Sequence, residues 1–507
     1  MTRRAPRVGL VLGFLVAAAS AESGGLRGGE RPGTAAAGGV LTPRGREQWV
    51  SHLPGAPLPD GRLFPDYRMV TGYMSVGGAS RSRELFYWFV ESRGKPRKDP
   101  LLLWTNGGPG CSGLAGFLTE MGPFRPTSIG VLAENPHAWT NFANMIFIEQ
   151  PAGVGFSTID AQESYEYTDE KTAEDMWAFI KGFTALHPEH KATPFYLVGE
   201  SYGGHYLPTT ALHILNNNRG EVNFQGFTVG NPLTYDTYTT YGMVSKIYAA
   251  GLLPKPDFDD FMEKGCYKIN TGDEGDIAPA NREQCANQLS GWWLDLFPGV
   301  TKQADAKFPG FDPYALDFAV CTHKEEMKAL HRGLPRPAQV QLARSVAGDS
   351  YEPCAQNPIN ANWATGYLNR ADVQRAIHVA GPVDWETCNE MVGSNYSTAS
   401  HKASMVPVYK KLVANGSLRI MIYSGTDDAV CPLQGLQKWV WDVGYEASEK
   451  WRPYVVGGQS AGFTTKFTAP NGAGFRVTTV QGAGHMVPST KPERAEFIMR
   501  RFLAGEW

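Results

Sequence analysis

Three stretches of this chain carry side chains that could act together in acyl transfer. The first is Gly199-Glu200-Ser201-Tyr202-Gly203, a G-x-S-x-G run placed directly after the apolar Phe195-Tyr196-Leu197-Val198. A serine hydroxyl is a weak nucleophile and becomes useful when a tight strand-to-helix turn presents it to a base. Gly199 and Gly203 are expected to permit that turn, because a Cβ at either place would crowd the neighbouring strand and helix. The second stretch, Ile422-Tyr423-Ser424-Gly425-Thr426-Asp427-Asp428, supplies an acid after another apolar run, and the third, Val480-Gln481-Gly482-Ala483-Gly484-His485, supplies a histidine. His485 would accept the Ser201 proton, while the carboxylate fixes the imidazole tautomer and stabilises the imidazolium. A tetrahedral intermediate also needs donors for its oxyanion. The candidates are Tyr202 N–H, next after the serine, and Gly108 N–H in the glycine cluster Asn106-Gly107-Gly108-Pro109-Gly110. Alone, each motif has a bland reading as a turn or a structural loop; the order serine, acid, histidine, each after a strand-like run, joins them.

The elements that must hold these residues alternate along the first half of the chain. Tyr67 to Val76 and Glu84 to Val90 read as an antiparallel hairpin around Gly77-Gly78-Ala79-Ser80. Short apolar runs at 100–104, 145–150, 195–198 and 224–230 read as buried strands, with helices over 169–186 and about 204–216 between them. Strand, helix, strand in this order argues a mostly parallel sheet covered by helices. The alternation stops after Asn231-Pro232 and resumes at Leu418, so 236–404 reads as an inserted cap between core parts 46–235 and 405–507. The expectation is an α/β-hydrolase fold with a mixed, mostly parallel central sheet and an inserted cap subdomain.

At 507 residues the chain is longer than one core usually supports, which suits a domain with an insertion. A net charge of -3 gives no reason to expect a nucleic acid or an anionic membrane as partner, and no metal or cofactor is expected. Arg3, Arg4 and Arg7, the apolar run Val8 to Ala18 and the small residues Ala19-Ser20-Ala21 read as a secretory signal over 1–21. That run is shorter than the roughly 20 residues of a membrane span. Residues 22–45, rich in Gly, Ala and Arg, read as a disordered leader or pro-segment. Secretion makes the seven cysteines disulfide candidates, and the odd count leaves at least one unpaired. The sequons Asn395-Tyr396-Ser397 and Asn415-Gly416-Ser417 fit the same compartment.

Five stretches together closely resemble the serine carboxypeptidase family. They are Asn106 to Ser112, Glu149 to Ser157, Gly199 to Pro208, Tyr367-Leu368-Asn369 and Gly482 to Pro488. The resemblance runs from about residue 46 to the C-terminus. It implies Ser201, Asp428 and His485 as catalytic residues, Gly108 and Tyr202 as the oxyanion hole, and Asn106, Gly107, Glu120 and Glu200 as the site for the substrate's terminal carboxylate. Two carboxyls can sit beside a third only if protons are shared among them, which raises their apparent pKa values. One departure stands out: the family's Gly-Asp-x-Asp is here Gly425-Thr426-Asp427-Asp428. Counting from Gly425 puts the acid on Asp428 and leaves Asp427 as the second candidate. The family pattern also implies a Cys111–Cys388 bridge, with Cys266–Cys285 and Cys321–Cys354 as the others and Cys431 a free thiol beside the acid. The implied activity is removal of C-terminal residues from peptides through an acyl-enzyme, favoured at acidic pH. Peptide or protein C-termini are the expected partners, with a homodimer one option for assembly. The implied destination is the secretory pathway, extracellular, vacuolar or lysosomal. Acyltransferase relatives generally carry Asp at the place of Glu200, so the sequence favours the peptidase; a generic esterase would fit the serine motif but not the carboxylate-binding residues.

Overall fold

The strands at the centre of the sheet form where the sequence is apolar without interruption. The computed structural model describes residues 47–56, 67–77, 82–126, 130–161, 165–298, 310–320, 363–468 and 474–506. The signal and leader segments expected over 1–45, and Cys321 and Cys354, lie outside the described residues. In chain order the strands are β1 (Glu47–Trp49), β2 (Met69–Ser75), β3 (Arg83–Val90), β4 (Leu101–Thr105), β5 (Phe124–Pro126), β6 (Leu132–Glu134) and β7 (Asn144–Ile148). They continue with β8 (Thr158–Ile159), β9 (Pro194–Glu200), β10 (Asn223–Gly230), β11 (Arg419–Gly425), β12 (Arg452–Val456), β13 (Gln459–Thr468) and β14 (Gly474–Val480). All but β5 and β6 join one sheet in the order β1-β2-β3-β7-β4-β9-β10-β11-β14-β13-β12, with β8 beside β3.

From β7 through β14 every neighbouring pair is parallel, and antiparallel pairs flank this centre on both sides. Parallel strands joined by helices are buried on both faces, and β4 and β7 are buried at every residue. Alternation sends Leu102 and Trp104 of β4 into one apolar core and Leu101 and Leu103 into the other. Helices α1 (Gly113–Thr119) and Pro492–Ala504 cover the first face through Leu114, Phe117, Ile498 and Phe502. Helices α2 (Asp169–Leu186) and α3 (Gly203–Asn217) cover the second through Met176, Ile180, Leu207 and Ile214. The fold is an α/β hydrolase with a mixed central sheet, as the sequence predicts.

Between β10 and β11, helices α4 (Asp236–Ala249), α5 (Lys255–Glu263) and α6 (Pro279–Leu296) gather a separate apolar cluster that runs from Val244 to Leu316. The Cys266–Cys285 disulfide lies inside it. The later part of the same stretch behaves differently: Ala364, Tyr367, Leu368, Val373, Ile377 and Trp385 pack into the core beneath β4 and α1. Tyr367 there donates to Pro54 O at 2.8 Å, and Asn369 clamps Trp385 with Nδ2 to its O at 2.8 Å and Oδ1 to its N at 2.6 Å. A Cys111–Cys388 disulfide ties this segment to the loop after β4.

Candidate active site

Because the central strands are parallel, the loops that leave their C-terminal ends meet at one edge of the sheet. β4 runs into Asn106–Ser112, β9 into Ser201, β10 into Asn231, β11 into Asp428 and β14 into His485. Ser201 has φ 58°, the left-handed conformation of a sharp strand-to-helix turn. The turn is held by Ser201 N to Gly230 O at 3.0 Å and by Leu233 N and Gly204 N to Ser201 O, each 2.8 Å. A Cβ on Gly199 would lie 2.6 Å from Thr105 O, so glycine is required there. The expectation for Gly203 fails: its Cβ would meet Val229 at an ordinary 3.7 Å, and the close approach falls on Gly204, 2.0 Å from Leu233 O. A Cβ on Gly107 would sit 2.4 Å from Tyr202 N and 2.7 Å from Ser201 Cβ, so the glycine-rich loop lies directly on the serine turn. Gly108 N–H and Tyr202 N–H meet no acceptor among the described residues.

Asp428 is fully buried and collects four donors. Oδ2 accepts from His485 Nδ1 and Asn231 Nδ2, both at 2.8 Å, and from Cys431 N at 3.1 Å, while Oδ1 accepts from Val430 N at 2.7 Å. Asp427 faces away, toward Lys246 Nζ at 3.3 Å and Asp317 N at 2.9 Å. The geometry therefore separates the two acids that sequence counting left in competition. Cys431 is a free, buried thiol, and burial pushes it well above the usual thiol range.

The carboxyl pair sits beside this group. Asn106 Nδ2 donates to Glu200 Oε1 at 2.8 Å and to Glu120 Oε1 at 3.1 Å. The amide cannot be reversed, because Asn106 Oδ1 already accepts from Trp104 Nε1 at 2.7 Å and Gly116 N at 3.1 Å. Neither glutamate's Oε2 meets a donor among the described residues, and the two carboxyls hydrogen-bond each other, which needs a proton between them. Burial pushes Glu120 up to about 7, and burial together with Glu120 holds Glu200 well above the usual carboxylate range. Arg125 donates to Glu120 O at 2.8 Å and Pro488 O at 3.1 Å. A third buried carboxyl, Glu149, accepts from Ser112 Oγ, Trp385 Nε1 and Phe156 N, each at 2.6 Å, and burial pushes it up to about 7.

Two residues of the site are missing from the sequence reading. Asn231 holds Asp428 and also accepts from Gly425 N at 3.0 Å; its signal is its place at the end of β10, where the neighbouring strands carry their functional residues. Tyr314, whose carbonyl accepts from His485 N at 2.7 Å, lies in the stretch where sequence periodicity is lost and has no such signal. The asparagines of both sequons are exposed, Asn395 at a helix end and Asn415 beside Gly416.

A serine turn, a buried acid–histidine pair and unpaired backbone donors on a parallel sheet edge define a serine hydrolase of the α/β-hydrolase class. Residues 59–505 match the serine carboxypeptidase family, and the chain belongs to it. It is 32% identical over 470 residues to serine carboxypeptidase-like 22 of Arabidopsis thaliana, covering 90% of this chain and 93% of that one. It is likewise 32% identical to the lysosomal protective protein of Mus musculus, with 90% and 96% coverage. The fold matches a prohormone-processing carboxypeptidase from Saccharomyces cerevisiae with a TM-score of 0.68 at 19% identity, covering 92% and 96% of the two chains. The protein is a serine-type carboxypeptidase, a hydrolase that removes C-terminal residues from peptides.

Proposed function

We propose that Ser201 Oγ attacks the carbonyl carbon of the substrate's last peptide bond while His485 takes its proton and Asp428 holds the imidazole. The C–N bond then breaks, His485 returns the proton to the departing amino acid, and an ester to Ser201 remains. Water adds to that ester as His485 takes one of its protons, and the Ser201 oxygen leaves with the proton. Gly108 N–H and Tyr202 N–H, which meet no acceptor among the described residues, receive the oxyanion. Asn106, Gly107, Glu120 and Glu200 receive the substrate's terminal carboxylate.

The observation that carries this reading is the Asn106 amide aimed at two buried, proton-sharing carboxyls next to the serine turn. Only a protonated pair tolerates a third carboxylate, so exopeptidase activity is favoured in acid and fades as the pair ionises toward about 7. Michaelis constants for a matched pair of peptides, one with a free C-terminal carboxylate and one amidated, test it. KM for the acid substrate should rise with pH while that for the amide stays level; parallel curves would remove the glutamates from this role. The exposed sequon asparagines and the signal-like 1–21 support a secretory route ending outside the cell, in a vacuole or in a lysosome. A mobility shift on endoglycosidase treatment of the expressed protein checks that route.

A further inference from the structure

The loops that bear Asp428 and His485 are tied to each other by a short stretch of chain from the segment between β10 and β11. His485 N donates to Tyr314 O at 2.7 Å, and Ala429 N, one residue past Asp428, donates to Pro313 O at 2.8 Å. The stretch is pinned in turn by Leu316 N to Asp427 O at 3.1 Å and Asp317 N to Asp427 Oδ2 at 2.9 Å. It is internally stiff, with Tyr314 N on Asp312 Oδ1 at 3.0 Å and Ala315 N on Asp312 O at 3.1 Å. Its fit is close: a Cβ on Gly484 would lie 2.3 Å from Tyr314 O. The Tyr314 ring meets the His485 ring edge-on, centroids 5.2 Å apart. Lys246 of α4 holds the far side, with Nζ on Thr426 O at 2.9 Å and Asp427 Oδ1 at 3.3 Å, and Leu316 and Ala429 share an apolar cluster with Val244 and Ile247 of α4.

We propose that residues 312–317 are a brace that sets the distance and angle between Asp428 and His485, and that Asp427 and Lys246 are positioning residues anchoring it. The side chain of Asp427 fixes Asp317 N while its carbonyl fixes Leu316 N, so one residue of the acid loop holds the C-terminal end of a stretch whose Pro313 and Tyr314 carbonyls hold Ala429 and His485. This rests on Asp428 and His485 being the acid and base proposed above.

Turnover per active site decides it, with sites counted by a fluorophosphonate that bonds the reactive serine. In Asp427→Ala, kcat per titrated site should fall roughly 10-fold or more on peptide and ester alike, the scale of loss a displacement of about 1 Å can bring, with KM within about 2-fold. Asp427→Asn keeps an acceptor for Asp317 N and should stay within about 3-fold of the parent, a rescue that simple loss of fold would not give. Lys246→Met should lower kcat per site with KM unchanged, and stands in should Asp427→Ala not fold. Wild-type turnover per site in Asp427→Ala or Lys246→Met, or equal damage from Asn and Ala at 427, overturns the brace. Ser201→Ala is run beside them: activity surviving in it would overturn the underlying reading instead.

Discussion

Asp428 is bound by four N–H donors, and asparagine in its place would have to turn an amide N–H toward one of them. Asp428→Asn should therefore lose on the order of 10³- to 10⁴-fold in kcat through a misoriented histidine, while Asp427→Asn stays near the parent; steady-state kinetics on one ester substrate compares them directly. Ser201→Ala should cost on the order of 10⁴-fold or more with an unchanged melting temperature, because a serine at this turn carries chemistry and little packing. A melting shift of several degrees would assign Ser201 a structural role instead. At this scale much of the site was legible, since Asn106, Ser201, Asp428 and His485 lie in loops that leave strands the sequence marks, whereas Glu120 ends helix α1 and is singled out only by the family resemblance. The departure at Thr426 has a physical reading only in three dimensions: its hydroxyl accepts Gly482 N at 2.8 Å, joining the acid and histidine loops through an acceptor that needs no charge. Tyr314 was not legible, because its contribution is a backbone carbonyl and any residue type has one.

At the scale of elements, the glycine-rich loop after β4 functions by lying against the serine turn. Gly107→Ala would press a methyl to within 2.4 Å of Tyr202 N. It should lower kcat by roughly 100-fold, since the loop and its donor must retreat by an ångström or so, while the circular dichroism spectrum stays that of the parent. Intact turnover in that variant would mean the loop is not placed by this contact. The same elements show which strands a sequence reveals. β4, β7 and β9 are buried on both faces and read as apolar runs. β12 is the edge strand and β13 lies beside it, and there exposed apolar residues such as Val455 and Phe463 leave only short apolar runs. The stretch 363–385 falls in the expected insertion because strand–helix alternation has not yet resumed there, whereas its Tyr367 and Trp385 pack into the main core and the stretch bonds residues some 300 positions away.

For the whole molecule, the buried carboxyls make stability depend on pH in a definite direction. Glu120, Glu149 and Glu200 hold protons more tightly folded than unfolded, so the folded state is favoured most below about 4.5 and loses that advantage as pH rises toward about 7. For Glu149 alone, a rise from 4.5 to about 7 corresponds to a few kcal/mol, on the order of 3. The melting temperature should thus fall between pH 5 and pH 7.5. Glu149→Gln, which cannot ionise, should show a shallower fall even if its melting point in acid is lower; equal slopes in scanning calorimetry would remove Glu149 from the effect.

The sheet's strand order also bears on how the molecule is made. β10 must wait for its neighbour β11, which arrives about 190 residues later in the chain, and β14 follows later still. At a synthesis rate of roughly 5–20 residues per second, a half-built sheet with Phe227 and Val229 on its open edge persists for about 10–40 seconds. Helices α4 to α6 form their own apolar cluster during that interval and can settle early. The serine proposed as nucleophile is translated long before the proposed acid and base, so on that reading a nascent chain has the nucleophile without the means to activate it. A peptidase wired in this order is silent toward neighbouring nascent chains until its final strand has been laid into the sheet.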